Sequence, residues 1–368
     1  LTTRSKIEIK DLLFKDFTET FNSAFLKAIS KLDFSDEQII KKLSSKKFSS
    51  KMRKLISSYE NTVTHFYLKN NKYNLDDFLN IHLENQRTIV RRNKKSFTPF
   101  ILYIYTCVKV YEKIIDNVSQ KETDITLRLT ISLYGLTIRR AQQIVDLLID
   151  GYIDGAMIIW RSMYENAVLL MVLASEDNVE LSQRFYDHSI KNSKRKVTSY
   201  TENHKALKFR PLPNSTFTIL EEEKKKLISK YGKEFLENEY GWADILFKGK
   251  ANFKLLEEKV EMNIYRPYYL LCSEQIHSNF NGFRNFMESN EIILPRFLKQ
   301  ESELQAFIDP MQFTISVLHE INDYVMWEFS TKDEHNANLL FLRMIFEKLQ
   351  NSYSVKTKKK GSPLCQAG

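Results

Sequence analysis

Residues 123–174 read TDITLRLTISLYGLTIRRAQQIVDLLIDGYIDGAMIIWRSMYENAVLLMVLA. Two long helix-forming runs meet at Gly151, and neither contains a proline. Gly151 stands just past the first run, where helices commonly end on a left-handed residue that glycine adopts without a Cβ clash. Two long helices joined by so few residues pack as an antiparallel hairpin. The second run holds two charges in an otherwise apolar setting, Arg161 and Glu165, one helical turn apart on the same face. Desolvating either charge alone is costly, so the pair demands a partner or a cleft.

Outward from this hairpin the helical pattern continues. FILYIYTCVKVYEKII (100–115) precedes it, and residues 178–204 follow as a more charged helix. KFRPLPNST (208–216), with two prolines and several turn formers, is the clearest loop. Helical patterns resume at 218–231, 233–246, 251–263, 265–286, 300–329 and 332–353. Only 9 glycines and 7 prolines occur in 368 residues, which excludes a β-rich fold with many turns. The expected fold class is all-α: a multi-helix bundle with long antiparallel helices and an N-terminal helical extension.

Three regions are expected. Residues 1–95 form a basic N-terminal region with amphipathic helices over 5–31 and 36–68 and basic clusters at KKLSSKKFSSKMRK (41–54) and RTIVRRNKK (87–95). Residues 96–353 form the helical core domain, and 354–368 a disordered tail without periodicity. The net charge of +9 fits RNA or another nucleic acid as partner, held through phosphate contacts, and KNSKRK (191–196) reads as a phosphate-contacting edge or a solvated surface. A homodimer, or a partner protein from the same operon, is the other expectation.

No uninterrupted apolar run reaches the ~18 residues of a membrane span; the nearest, Tyr152–Ala174, carries Asp154, Arg161 and Glu165 and reads as a core helix, so no membrane partner is expected. The first residues, LTTRSKIEIKDLLFKDF, hold no apolar signal core with a small-residue cleavage site. Cys107, Cys272 and Cys365 lack CxxC spacing, which points to a reducing compartment, and a cytoplasmic location is expected. No glycine-rich phosphate loop is present and no cofactor is expected. LHEIND (318–323) does not complete H-E-x-x-H; His319 and Asp323 share a face, but nothing fixes a third ligand beside them, so no metal site is assigned.

The second chemical stretch is YRPYYLLCSEQIHSNFNG (265–282). Tyr265, Tyr269, Ser273 and His277 recur at every fourth position and form one slowly drifting polar stripe. A hydroxyl one turn before a histidine, with phenols behind it, can pass a proton or bind a phosphate; the same residues can equally serve as a satisfied core network.

GYIDGAMIIWRSMYENAVLLMVLA, EYGWADILF and YRPYYLLCSEQIHSNF come in the order and spacing of a bacterial family known as domain of unknown function 5677, which the chain resembles over about residues 97–330. The family's R-x-x-x-E, tryptophan, Y-x-x-Y and S-x-x-x-H elements fall on Arg161, Glu165, Trp242, Tyr265, Tyr268, Ser273 and His277. The family is similar in helical character to the HEPN superfamily, which includes metal-independent ribonucleases of toxin–antitoxin and antiphage systems. Their R-x4–6-H motif is absent here: the fifth residue after Arg161 is Asn166, and only three residues separate Arg184 from His188. The resemblance therefore implies a composite centre. Arg161, Glu165, Ser273 and His277 are its expected catalytic set, and Tyr265, Tyr268, Tyr269, Asn166 and Arg184 its expected substrate-binding set. The alternative is a non-catalytic interaction or scaffold module. Its polar residues form a structural hydrogen-bond network, and its basic N-terminal region binds nucleic acid or a protein.

Overall fold

The computed structural model describes residues 72–118, 124–176, 178–276, 304–329 and 332–357. The expected helices over 5–31 and 36–68, the basic cluster 41–54, His277 and residues 358–368 lie outside the described residues. The chain divides into two units, Leu1–Arg87 and Thr88–Gly368. The helices are α1 (Lys72–Arg92), α2 (Lys94–Val118), α3 (Ile125–Ile149), α4 (Ile153–Ser175), α5 (Val179–Asn203), α6 (Asn214–Tyr231), α7 (Glu234–Glu237), α8 (Phe253–Lys259), α9 (Arg266–Ile276), α10 (Leu304–Phe329) and α11 (Lys332–Thr357), with 3-10 turns at Gly241–Leu246 and Asn263–Tyr265. No strand occurs among the described residues. The fold is an all-α, multi-helix bundle.

The α3–α4 hairpin forms as its sequence predicts. Asp124 caps α3 by accepting the Leu127 amide at 2.8 Å. At the other end Gly151 has φ +80°, with Gly151 N donating to the Leu148 carbonyl and Tyr152 N to the Leu147 carbonyl. That is the Schellman arrangement, in which a left-handed residue satisfies the last carbonyls and turns the chain back. Three residues, Asp150–Tyr152, then suffice to start α4.

α4 is the central helix and packs against α3, α8, α9 and α10. It is also, among the described residues, the one helix long and apolar enough to cross a membrane by length and composition. Trp160, Met163, Tyr164, Ala167 and Val168 are wholly buried. Trp160 meets Tyr268 of α9 edge-on at 4.6 Å between centroids, and Tyr268 stacks on Phe313 of α10 at 4.1 Å. Each such ring contributes about 1.5–3 kcal/mol through burial, and together they fix how α9 lies against α4.

A polar knot lies inside this core. Tyr134 of α3 donates to Asn322 Oδ1 of α10 at 2.7 Å, and Asn322 Nδ2 reaches Tyr103 Oη and Cys107 Sγ of α2, each at 3.3 Å. All four residues are fully buried. Each hydrogen bond satisfies a group whose burial would otherwise be costly, so one alignment of the three helices is preferred over its slipped neighbours. Burial pushes the Cys107 thiol up to about 12.

Two expected helices are broken. The 233–246 pattern becomes the four-residue α7 and a 3-10 turn, because Asn238 leaves the helical region at ψ 142° and ties its amide to Asp244 Oδ1 at 2.8 Å. Gly241 then lies so close to α7 that a Cβ would sit 2.1 Å from the Phe235 carbonyl oxygen. The 251–263 pattern stops at Lys259, where Glu261 takes a left-handed φ of 58° and Met262 N returns to the Glu257 carbonyl at 3.0 Å.

Candidate functional site

Because Tyr268 is locked between Trp160 and Phe313, the next residue of α9, Tyr269, is delivered to Arg161 on α4. Arg161 Nε donates to Glu165 Oε1 at 3.1 Å and Arg161 Nη2 to the Tyr269 hydroxyl oxygen at 3.0 Å. The Tyr269 hydroxyl in turn donates to Glu165 Oε1 at 2.9 Å. Guanidinium, carboxylate and phenol thus close a triangle across two helices more than one hundred residues apart in sequence. The guanidinium carbon also lies 4.8 Å from the Tyr269 ring centroid.

The triangle is half open to water: the Arg161 side chain is 19% exposed and that of Glu165 37%. Burial works against the Arg161 charge, but the Tyr269 phenol and the Glu165 carboxylate outweigh it and raise its pKa above the ordinary value. Burial first, and then Glu165, pushes Tyr269 up to about 12, so it stays a neutral donor. Tyr240, packed against Phe253, is raised by burial and by the same carboxylate. The bonds from Arg161 Nε and the Tyr269 hydroxyl both go to Glu165 Oε1, and none involves its Oε2 among the described residues. A strong donor, a carboxylate and a neutral phenol can bind an anion and orient a proton-bearing ligand.

A second ion pair lies behind the ring. Glu257 of α8 is fully buried, with one oxygen paired to Arg266 Nη1 and the other accepting from Tyr164 at 2.8 Å. The Tyr164 hydroxyl is also 2.8 Å from the Met262 carbonyl, and its pKa is raised by burial and by Glu257. The Arg266 guanidinium lies 5.8 Å from the Tyr269 centroid, so two cations flank one ring.

Of the other expected residues, Ser273 donates back to the Tyr269 carbonyl at 2.7 Å, within α9. Tyr265, in the 3-10 turn before α9, donates to Glu320 of α10 at 3.1 Å rather than joining Arg161. Tyr268 is buried, with the Cys272 thiol and Asp309 as polar neighbours. Asn166 buries its side-chain nitrogen without a partner. Trp242 is buried against Phe185.

Arg184 is not drawn into the triangle. Its guanidinium donates to the Trp242 and Gly241 carbonyls, each at 3.1 Å, and lies over the rings of Tyr231 and Phe235. His188 and Lys191 hold the Asn238 and Glu237 carbonyls of the same segment at 3.1 Å. α5 thus lashes the 237–242 loop to the bundle. His277 lies outside the described residues, so its distance from Arg161 is not defined. Among the described residues no three histidine, cysteine or carboxylate side chains gather as a metal site. His319 stacks on Phe346, and Asp323 pairs with Arg343 at 2.9 Å.

Sequence reasoning missed Glu257, Arg266, Tyr164 and Tyr240. The signal for Glu257 was its helical phase, since Phe253, Leu256 and Glu257 share the apolar face of α8.

The class defined here is an all-α bundle whose central helix offers a half-exposed Arg–Glu–Tyr triangle to its neighbour. Residues 127–293, which carry Arg161, Glu165, Tyr269, Ser273 and His277, match the model described as "Family of unknown function (DUF5677)". No curated protein and no solved structure matches the chain significantly.

Proposed function

We propose that the chain is a HEPN-like, metal-independent ribonuclease of a bacterial toxin or antiphage system, acting in the cytoplasm on RNA through the Arg161–Glu165–Tyr269 triangle. The observation that supports this reading is the triangle itself: three expected site residues on two helices share hydrogen bonds, and Arg161 and Glu165 still reach solvent. In such a reaction the ribose 2′-hydroxyl attacks the adjacent phosphorus and the 5′-oxygen leaves. Arg161 holds the phosphate oxygens as charge grows on them, Tyr269 and Glu165 fix the guanidinium, and His277, four residues beyond Ser273 in sequence, exchanges the protons.

Removing such a contact costs about 100-fold or more in rate while leaving the fold intact. The test is cleavage of a labelled RNA in the presence of a chelator by the wild type, Arg161→Lys and His277→Ala, with melting curves in parallel. Both variants should lose cleavage and keep the melting temperature. Absence of cleavage by the wild type, or undiminished rates in both variants, overturns the reading.

A second reading is favoured by the internal engagement of Arg184, Tyr265 and Ser273. It is a non-catalytic module in which these contacts fix helix register and the partner is a second copy or a protein of the same operon. Variants that lose stability in step with function, with no RNA turnover, support it.

A further inference from the structure

The outer end of the α5–α6 pair stands clear of the buried core. The two helices run antiparallel: Asp187 meets Lys230 and Tyr231, and further out Lys194 meets Glu221 at 2.8 Å. After His188 no residue of α5 is buried, and α6 buries only Leu227. Beyond Lys191 and Arg195, which pair with Glu239, residues 196–203 of α5 form an arm about 12 Å long at 1.5 Å per residue, closed at its end by the loop 204–213.

The tip has its own construction. Phe209 N donates to the His204 carbonyl at 2.8 Å and Lys208 N to the Lys205 carbonyl at 3.1 Å, with Lys208 at φ 57° where glycine is usual. This turn folds the chain back so that Phe209 comes to rest near-parallel to Tyr200, 15° apart with centroids at 6.1 Å. His204 lies near-parallel to Tyr200 as well, 8° apart at 6.1 Å. The Tyr200 hydroxyl fastens the set by donating to the Arg210 carbonyl at 2.8 Å. Phe209 is nevertheless 56% exposed. Lys196, Lys205, Lys208 and Arg210 are all exposed around these rings, against the single acid Glu202.

We propose that this tip docks single-stranded nucleic acid. The exposed Phe209 ring, backed by half-buried Tyr200 and His204, accepts a stacked base, and the exposed cations track the phosphates. That pairing of features is how sequence-tolerant single-strand binding works. The turn and the Tyr200 tether hold the rings ready, so little ordering is needed on binding. Only Leu207 and Phe209 offer exposed large apolar side chains in the turn, too few for the apolar centre of a protein interface or for insertion into a bilayer. The inference stands on the arm alone and does not depend on chemistry at Arg161.

The test uses the whole chain, fluorescein-labelled oligouridine and oligothymidine, and anionic phosphatidylserine vesicles. The variants are Phe209→Ala and the triple substitution Lys205→Ala, Lys208→Asn, Arg210→Ala, none of which touches the core. Phe209→Ala should weaken binding of oligouridine roughly tenfold by loss of a base stack. With three phosphate contacts gone, the salt slope should fall by about 2, so the wild type should lose roughly 20-fold more affinity than the triple variant between about 50 and 200 mM salt. Equal losses on both oligonucleotides, or a larger loss on oligouridine through its 2′-hydroxyl, support the inference. Three results overturn it: a wild type that binds neither oligonucleotide, variants that bind as the wild type does, or a wild type that prefers the vesicles and loses them through these substitutions.

Discussion

Arg266→Ala should destabilise the bundle without touching the open face of the triangle. Glu257 is fully buried, and Arg266 supplies its counter-charge. Once the guanidinium is gone, the carboxylate keeps only the Tyr164 hydroxyl. Breaking a buried pair from one side costs roughly 3–5 kcal/mol, because the orphaned charge remains out of water. Arg266 keeps 28% of its side-chain surface exposed, so solvent screens the pair in part; the expected loss is near the lower end, about 3 kcal/mol. For a unit of this size that lowers the melting temperature by about 6–12 °C. Urea titration followed by circular dichroism measures it directly. The companion variant Glu257→Met/Arg266→Met should recover most of the loss, since apolar replacement of both partners is close to neutral. In that variant Tyr164 keeps the Met262 carbonyl at 2.8 Å. An Arg266→Ala protein within about 1 kcal/mol of wild type, or a double variant as weak as the single one, refutes the account of this ion pair.

Asn322→Leu should cost about 2–4 kcal/mol in the same titration, because the buried hydroxyls of Tyr134 and Tyr103 lose their partner; a neutral result would remove the knot from the list of alignment devices. His188 is held below its ordinary value by burial, with the Asn238 carbonyl opposing. The unfolded chain therefore binds the proton more readily, and stability should be full above about pH 6.5 and decline as the pH falls toward the folded value. His188→Gln should flatten that decline, leaving a residual slope from His319, which burial also lowers; an unchanged profile would exclude His188 as its source.

The hairpin and the Arg161–Glu165 pair were legible in the sequence because both depend on local spacing: a glycine beyond a proline-free run, and charges one turn apart. The Tyr265–Tyr269–Ser273–His277 stripe was legible only in part. Successive fourth residues drift about 40° around a helix, and Tyr265 belongs to the 3-10 turn before α9. Set in that turn, Tyr265 reaches Glu320 of α10, whereas Tyr269, inside α9, reaches Arg161. Arg184 looked like a ligand-binding cation because its partners are backbone carbonyls 57 and 58 residues away, and carbonyls leave no mark in a sequence. The helix expected over 233–246 failed because Asn238 leaves the helical region and ties its amide to Asp244, a side-chain bond that helical periodicity does not reveal.

The three-residue link between α3 and α4 has a bearing on biosynthesis. Loop-closure entropy grows as the logarithm of loop length, so joining Asn322 to Tyr103 across 219 residues costs roughly 4 kcal/mol more than closing that link. As the chain leaves the ribosome, the hairpin can zip as soon as residue 175 has emerged. The hydroxyls of Tyr103 and Tyr134, already translated by then, cannot reach their amide until residue 322 is made, and nascent α2 must be kept from other company for the time that takes.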